Sequence, residues 1–165
     1  MTSQTASRTA LVLGHIQAPI TDLATDPTYL ERLAAVARQA RAKGIPVIYV
    51  TISFRAGYSE PVPGSPRRER MESAGVFIEG VSNSVHDKLR PEPRDIVIRA
   101  SRVSGFANTD LEVVLRSSGI DSIALAGTST GGVVLGTVVD ARDKDFGSLF
   151  SATCVWIRTS RSTMR

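Results

Sequence analysis

Four short apolar runs punctuate the chain: "TALVL" (9–13), "IPVIYVTI" (45–52), "DIVIRA" (95–100) and "SIALAG" (122–127). Continuous apolar runs of this length suit strands covered on both faces. Between and after them lie stretches with helical periodicity. Strands alternating with helices imply right-handed crossovers, and therefore a parallel sheet clothed by helices. The expected fold class is α/β in three layers, with Rossmann-like topology.

The helices are read from their ends inward. "DPTYLERLAAVARQARAKG" has Asp26 as N-cap, Pro27 at the first helical position and Gly44 as its stop. Leu30, Leu33, Ala34 and Ala37 then fall on one face. "NTDLEVVLRSSG" carries Thr109 and Glu112 at capping-box spacing and ends on Gly119. "GGVVLGTVVDARDK" is the third expected helix. Residues 53–94 hold five prolines and a basic run, so a long irregular excursion with at most short helical turns is expected there. Its place between two strands favours a rim or lid, with Arg67, Arg68 and Arg70 as solvated charges.

A chain of 165 residues, 42% apolar and 22% charged, fits one globular domain. No run reaches the roughly 18 apolar residues of a membrane span. "MTSQTASR" lacks the apolar core of a signal peptide, so a cytoplasmic protein is expected. The single cysteine, Cys154, excludes an internal disulfide and is read as an inert thiol. The net charge of +4 is local: the last 19 residues carry Arg158, Arg161 and Arg165 and no acid, and the remainder holds 17 bases against 16 acids. Nucleic-acid binding is therefore not expected.

In a parallel sheet, ligands bind beyond the carboxyl ends of the strands. Three places converge there: His15 and Gln17; Arg99, Arg102 and Ser104; and the loop Thr128, Ser129, Thr130 and Gly131. The loop has neither the Lys-Ser/Thr of a Walker motif nor the G-x-G-x-x-G spacing of a dinucleotide site. His15 suits acid–base work as well as a purely structural hydrogen bond. His86, in the proline-rich excursion, is expected to be exposed, and two distant histidines give no metal signature.

Residues 9–146 resemble the isochorismatase-like hydrolases, also called cysteine hydrolases. The resemblance is carried by "ALVLGHIQ", by "RVSGFANTDLEVVLRSSGID" and by "AGTSTGGVV". It implies a six-stranded parallel sheet between helices and hydrolysis of a small amide or enol ether, without a cofactor. In the family a cysteine thiolate attacks, an aspartate takes its proton and a lysine organises the pair. Here the aspartate position falls on His15, the lysine position on Ala100 and the cysteine position on Val133. Gln17, Arg102, Ser104, Thr128, Ser129 and Thr130 are the expected substrate-binding residues. Arg99, alternating with Ala100, is expected to face away. Two readings follow, a hydrolase with an atypical site and an inactive relative that keeps a small-molecule pocket. Self-association is expected from the family; a membrane partner is not.

The resemblance fades after Phe146, so residues 147–165 are read as an atypical basic tail and 1–8 as a flexible terminus. GC-rich codons for "GSLFSATCVWIRTSRSTMR", read one base earlier, spell "RLTVLSDVRVDPDLEVHDA", which has the family pattern. A frameshift near codon 146 is the inferred origin. The last strand and helix are accordingly expected to be missing.

Overall fold

The computed structural model describes residues 8–22, 24 and 26–156, with residues 149–156 followed along the backbone only. Five strands form one parallel sheet: β1 (Thr9–Gly14), β2 (Val47–Ile52), β3 (Ile96–Ala100), β4 (Ser122–Thr128) and β5 (Gly147–Trp156), in spatial order β3-β2-β1-β4-β5. The helices are α1 (Ala18–Thr21), α2 (Tyr29–Ala42), α3 (Pro66–Ala74), α4 (Leu111–Ser117) and α5 (Leu135–Asp143). No described helix is long and apolar enough to cross a membrane.

The two faces follow from strand alternation. Ala10 and Val12 of β1, with Ile48 and Val50 of β2, pack beneath Leu111 and Leu115 of α4 and Ala141 of α5. Leu11 and Leu13, with Val47 and Tyr49, pack against Tyr29, Leu33, Ala37 and Ala40 of α2 on the opposite face. Three layers are the result, as the alternation of apolar runs and helical stretches predicts.

Several local details differ from the sequence reading. Helix α2 begins after Thr28, because the Asp26 carboxylate accepts from Thr28 N, Thr28 Oγ1 and Arg32 and holds the approach to the helix rather than its cap. The capping box at α4 does not form: Thr109 Oγ1 accepts from Leu111 N, and Glu112 turns to Arg116 and Lys144. The excursion after β2 contains a nine-residue helix, α3, capped by Ser65 Oγ and stopped by Gly75 at φ 61°. It also has its own small core of Ile52, Phe54, Tyr58 and Phe77, and the Tyr58 hydroxyl sits 2.9 and 2.8 Å from the carbonyls of Met71 and Val76. His86 is half-buried, its Nδ1 accepting from Lys88 N to cap a 3₁₀ turn, Asp87–Leu89.

The expectation of a missing last strand is corrected by β5, which runs parallel beside β4. "SLFSATCVW" is rich in β-branched and aromatic residues, and strand pairing requires only backbone amides and carbonyls in register. The pairing shifts register between Leu125 and Gly127. The expected missing terminal helix, and the tail from residue 157, lie outside the described residues, as does the Cys154 side chain.

At the carboxyl ends of β1 and β4, Gly14 pairs with Gly127. A Cβ on Gly127 would stand 2.2 Å from the Gly14 carbonyl oxygen, an atom fixed in the strand. Gly127→Ala is therefore expected to destabilise the fold by about 3 kcal/mol, the upper end of ordinary overpacking. Urea unfolding of both proteins measures it.

Candidate active site

The chain leaves β1 at Gly14 and turns sharply at His15, whose φ is 53°. His15 N donates to the Val50 carbonyl at 2.8 Å, which fixes the turn against β2. The imidazole is 4% exposed, and its Nε2 has no hydrogen-bond partner. Burial, with the Arg67 guanidinium adding to it, lowers the His15 pKa from the usual 6.5 to about 3. At neutral pH this imidazole is uncharged.

Beyond β4 the chain passes through Ser129 into a π-type turn, Thr130–Val134, which breaks at Gly132 (φ −111°, ψ −106°) before α5 begins. Val133 is buried there. A Cβ on Gly14 would lie 2.6 Å from Val133 Cγ2 and 3.0 Å from Cγ1, so the valine methyls occupy the space that a side chain at position 14 would need. Ala100, at the end of β3, is fully buried in the same apolar cluster as Val133. The three positions therefore gather at one end of the sheet. They present an uncharged imidazole, a methyl and an isopropyl group.

Gln17 was expected to bind substrate, but its amide is engaged within the fold. Its Nε2 donates to the carbonyls of Ile52 and Asn83, and its Oε1 accepts from Ile52 N at 2.7 Å. Those three bonds tie the exit of β1 to the exit of β2 and to the excursion. Ser104 is engaged in the same way: its hydroxyl donates to Asp140 and accepts from Phe106 N. Thr128 pairs with the Tyr29 hydroxyl across α2 at 3.0 Å. Ser129 and Thr130 are half-exposed at the rim of the mouth. Arg99 faces outward to Glu79, as alternation with Ala100 predicts.

Arg102 is half-buried, and its guanidinium donates to the carbonyls of Glu60 and Ser101. Arg67, expected as a solvated charge, instead lies half-buried with its guanidinium carbon 5.6 Å from the centre of the Phe54 ring. The signal for it was weak: the "SP" of "GSPRRER" marks a helix start, but nothing in the run says which arginine turns inward. Arg68 pairs with Glu72, and only Arg70 is fully exposed as expected.

Two open grooves of about 540 and 710 Å³ flank the outer edge of β3, and neither is lined by His15 or Val133. The strand mouth is the better candidate, because among the described residues it holds the one buried side-chain polar atom without a hydrogen-bond partner, His15 Nε2. Among the described residues no group of His, Cys, Asp and Glu comes together as a metal site.

The isochorismatase domain model matches residues 9–164. The chain belongs to the isochorismatase family. The match extends past Phe146 and so includes residues 147–164, read above as an atypical tail. The chain is 30% identical over 159 residues to the ureidoacrylate amidohydrolase RutB of Stutzerimonas stutzeri, covering 82% of itself and 64% of that protein. It is 37% identical over 114 residues to the RutB of Pseudomonas savastanoi, covering 61% of itself and 46% of that protein. The chain thus spans about half to two-thirds of the length of these curated relatives. Among solved structures, N-carbamoylsarcosine amidase from Thermoplasma acidophilum superposes with a TM-score of 0.76 at 26% identity, over 93% of this chain and 87% of that one. An isochorismatase family protein from Desulfovibrio vulgaris reaches 0.82 at 24% identity, over 93% and 84%, and shows the shared fold.

Two measurements probe this geometry. Between pH 6.5 and about 3 the unfolded chain takes up a proton at His15 that the folded chain refuses. The stability His15 confers is complete above pH 6.5 and is lost as pH falls through that window, by about 1.4 kcal/mol per pH unit. His15→Gln should flatten the acid limb of the stability profile by that slope. Separately, Gly14→Ala and Val133→Ala should each destabilise by about 2 kcal/mol. The double variant should be more stable than their sum predicts, because the new methyl enters the space vacated; a double-mutant cycle reads the coupling.

Proposed function

We propose that this isochorismatase-family chain hydrolyses a small amide without a covalent thiol step, with His15 as the reacting protein group. The observation that carries the reading is the unpartnered, buried Nε2 of His15 at the mouth of β1, beside the loop after β4. Similarity to ureidoacrylate amidohydrolases and to an N-carbamoylsarcosine amidase supports an amide as the bond broken.

Val133 offers no nucleophile, and an imidazole uncharged at neutral pH accepts a proton rather than donating one. That argues against the acid-catalysed route open to an aspartate and for water activation. Water adds to the carbonyl as its proton moves to Nε2, and the same proton passes to the departing nitrogen as the C–N bond breaks. An imidazole with so low a pKa is a weak base, so slow turnover is expected. Ser129, Thr130 and Arg102 lie at the rim and can hold the polar ends of a small substrate.

A second reading is favoured by a specific observation. The three positions that the resemblance assigns to the family's reactive groups hold side chains without charge at neutral pH, and two of them have no reactive atom at all. An inactive relative that retains ligand binding satisfies the same geometry. A hydrolysis screen over small N-carbamoyl compounds, primary amides and enol ethers separates the two. Turnover that falls at least about 100-fold in His15→Ala, the scale of a general base, supports the first. Wild type and variant equally inert across the set would leave only the second.

A further inference from the structure

Strand β3 ends the sheet on one side, and its main-chain groups point alternately toward β2 and away from it. Ser53 N donates to the Ala100 carbonyl at 3.0 Å, and Thr51 Oγ1 donates to the Ile98 carbonyl. Residues 98 and 100 therefore turn their main-chain groups to β2. Val97 and Arg99 turn theirs outward, past the edge of the sheet. Among the described residues no hydrogen bond reaches the outward amide or carbonyl of either. Four ladder groups stand open, which is the arrangement by which one chain adds a strand to the sheet of another.

Sheet edges are ordinarily blunted by charge, by proline or by a covering segment. Here the one charged residue of β3, Arg99, is paired with Glu79, and neighbouring segments leave the two grooves open beside the edge. Side chains of an added strand alternate between faces, so they would enter the two grooves in turn. The residue across from Ile98 enters the groove of about 710 Å³, which Ile98 and Val113 line. Its two neighbours enter the groove of about 540 Å³, against Val85, Pro91 and Val97. In that smaller groove Asp87 and Arg90 neutralise each other, so apolar side chains suit it. In the larger groove Glu60 is paired with Arg55 and Glu79 with Arg99. Asp110 is left over. It is exposed, its carboxylate does not cap α4, and no ion pair joins it among the described residues.

We propose that the outer edge of β3 docks an extended segment of a partner protein, in which a basic residue stands between two β-branched apolar residues. The segment runs antiparallel to β3 and exchanges both N–H···O bonds with Val97 and with Arg99. Its basic side chain lies across from Ile98 and meets the Asp110 carboxylate, while its apolar neighbours cover Val97. An acidic residue at the central position is repelled there. Neither groove is lined by His15 or Val133, so this docking is independent of any hydrolysis at the strand mouth.

Fluorescence anisotropy with a fluorescein-labelled peptide, Gly-Thr-Val-Lys-Val-Thr-amide, tests the edge on the full chain. Exchanging its lysine for glutamate is expected to weaken binding about fivefold, the scale of an exposed ion pair turned into a like-charge pair. Methylating the two valine nitrogens of the probe removes two donors and should weaken binding at least about tenfold. Asp110→Asn should bring the lysine and glutamate probes to the same affinity. Val97→Pro deletes an amide that the sheet does not use, so it should weaken the lysine probe about fivefold and leave the fold intact. Unfolding midpoints within a degree or two of wild type establish that both variants fold, and the methylated probe needs no variant. A lysine probe that does not bind, a methylated probe that binds as tightly as its parent, or a lysine preference that survives Asp110→Asn overturns the proposal. Sedimentation showing self-association that Val97→Pro abolishes gives the edge to a second copy of this chain and overturns it too.

Discussion

The closeness of β1 and β4 at their carboxyl ends is the constraint on which the rest of the site depends. Gly14 and Gly127 face each other there, and no side chain fits at position 127 against the Gly14 carbonyl. Because the strands close up at that point, the chain after β1 must turn at once, which places His15 in a left-handed backbone conformation. The chain after β4 must turn over the same spot, which drives Val133 down onto Gly14. The mouth of the sheet is therefore narrow, and what it offers a ligand is set by few atoms.

Gln17 extends that constraint to the excursion. Its amide bonds to Ile52 and Asn83 make the end of β1, the end of β2 and residue 83 one hydrogen-bonded unit. Because those bonds are buried, breaking any one leaves an unsatisfied polar group, so the unit holds its geometry. The excursion is anchored a second time by the small core around Phe54, Tyr58 and Phe77. An Arg67 presented from α3 is thus held by a scaffold with its own packing, not by a loose loop. The same scaffold keeps Glu60 turned to Arg55 and away from the two inward arginines.

The parallel sheet and three of its helices were legible because strand runs and helix stops are written locally: Gly44 and Gly119 each follow a helix with positive φ. Helix α3 was legible in principle from Ser65, Pro66 and Gly75, but its polar sequence carries no apolar stripe, so periodicity passed it over. Strand β5 was missed for a different reason. Pairing with β4 asks only for backbone amides and carbonyls in register and a β-favouring composition, neither of which depends on a family motif. Within the site, sequence position located His15, Ala100 and Val133 at one end of the sheet. It could not tell that Gln17, Ser104 and Thr128 would be engaged by Ile52, Asp140 and Tyr29, because those partners lie far along the chain. Nor could it single out Arg67, whose inward turn is decided by the Phe54 ring.

The residues at the three positions singled out by the resemblance are physically coherent with one another. Val133 carries two methyls into a space that is open only because position 14 has no Cβ, so the valine and the glycine fit as a pair. A carboxylate at position 15 would interact with the Arg67 charge, whereas the imidazole of His15 is uncharged at neutral pH. A lysine at position 100 would put a cation into a buried apolar cluster, whereas alanine lets the cluster close. With the family's residues, the mouth would balance an acid, a thiolate and a base internally. With these residues its floor carries no charge at neutral pH.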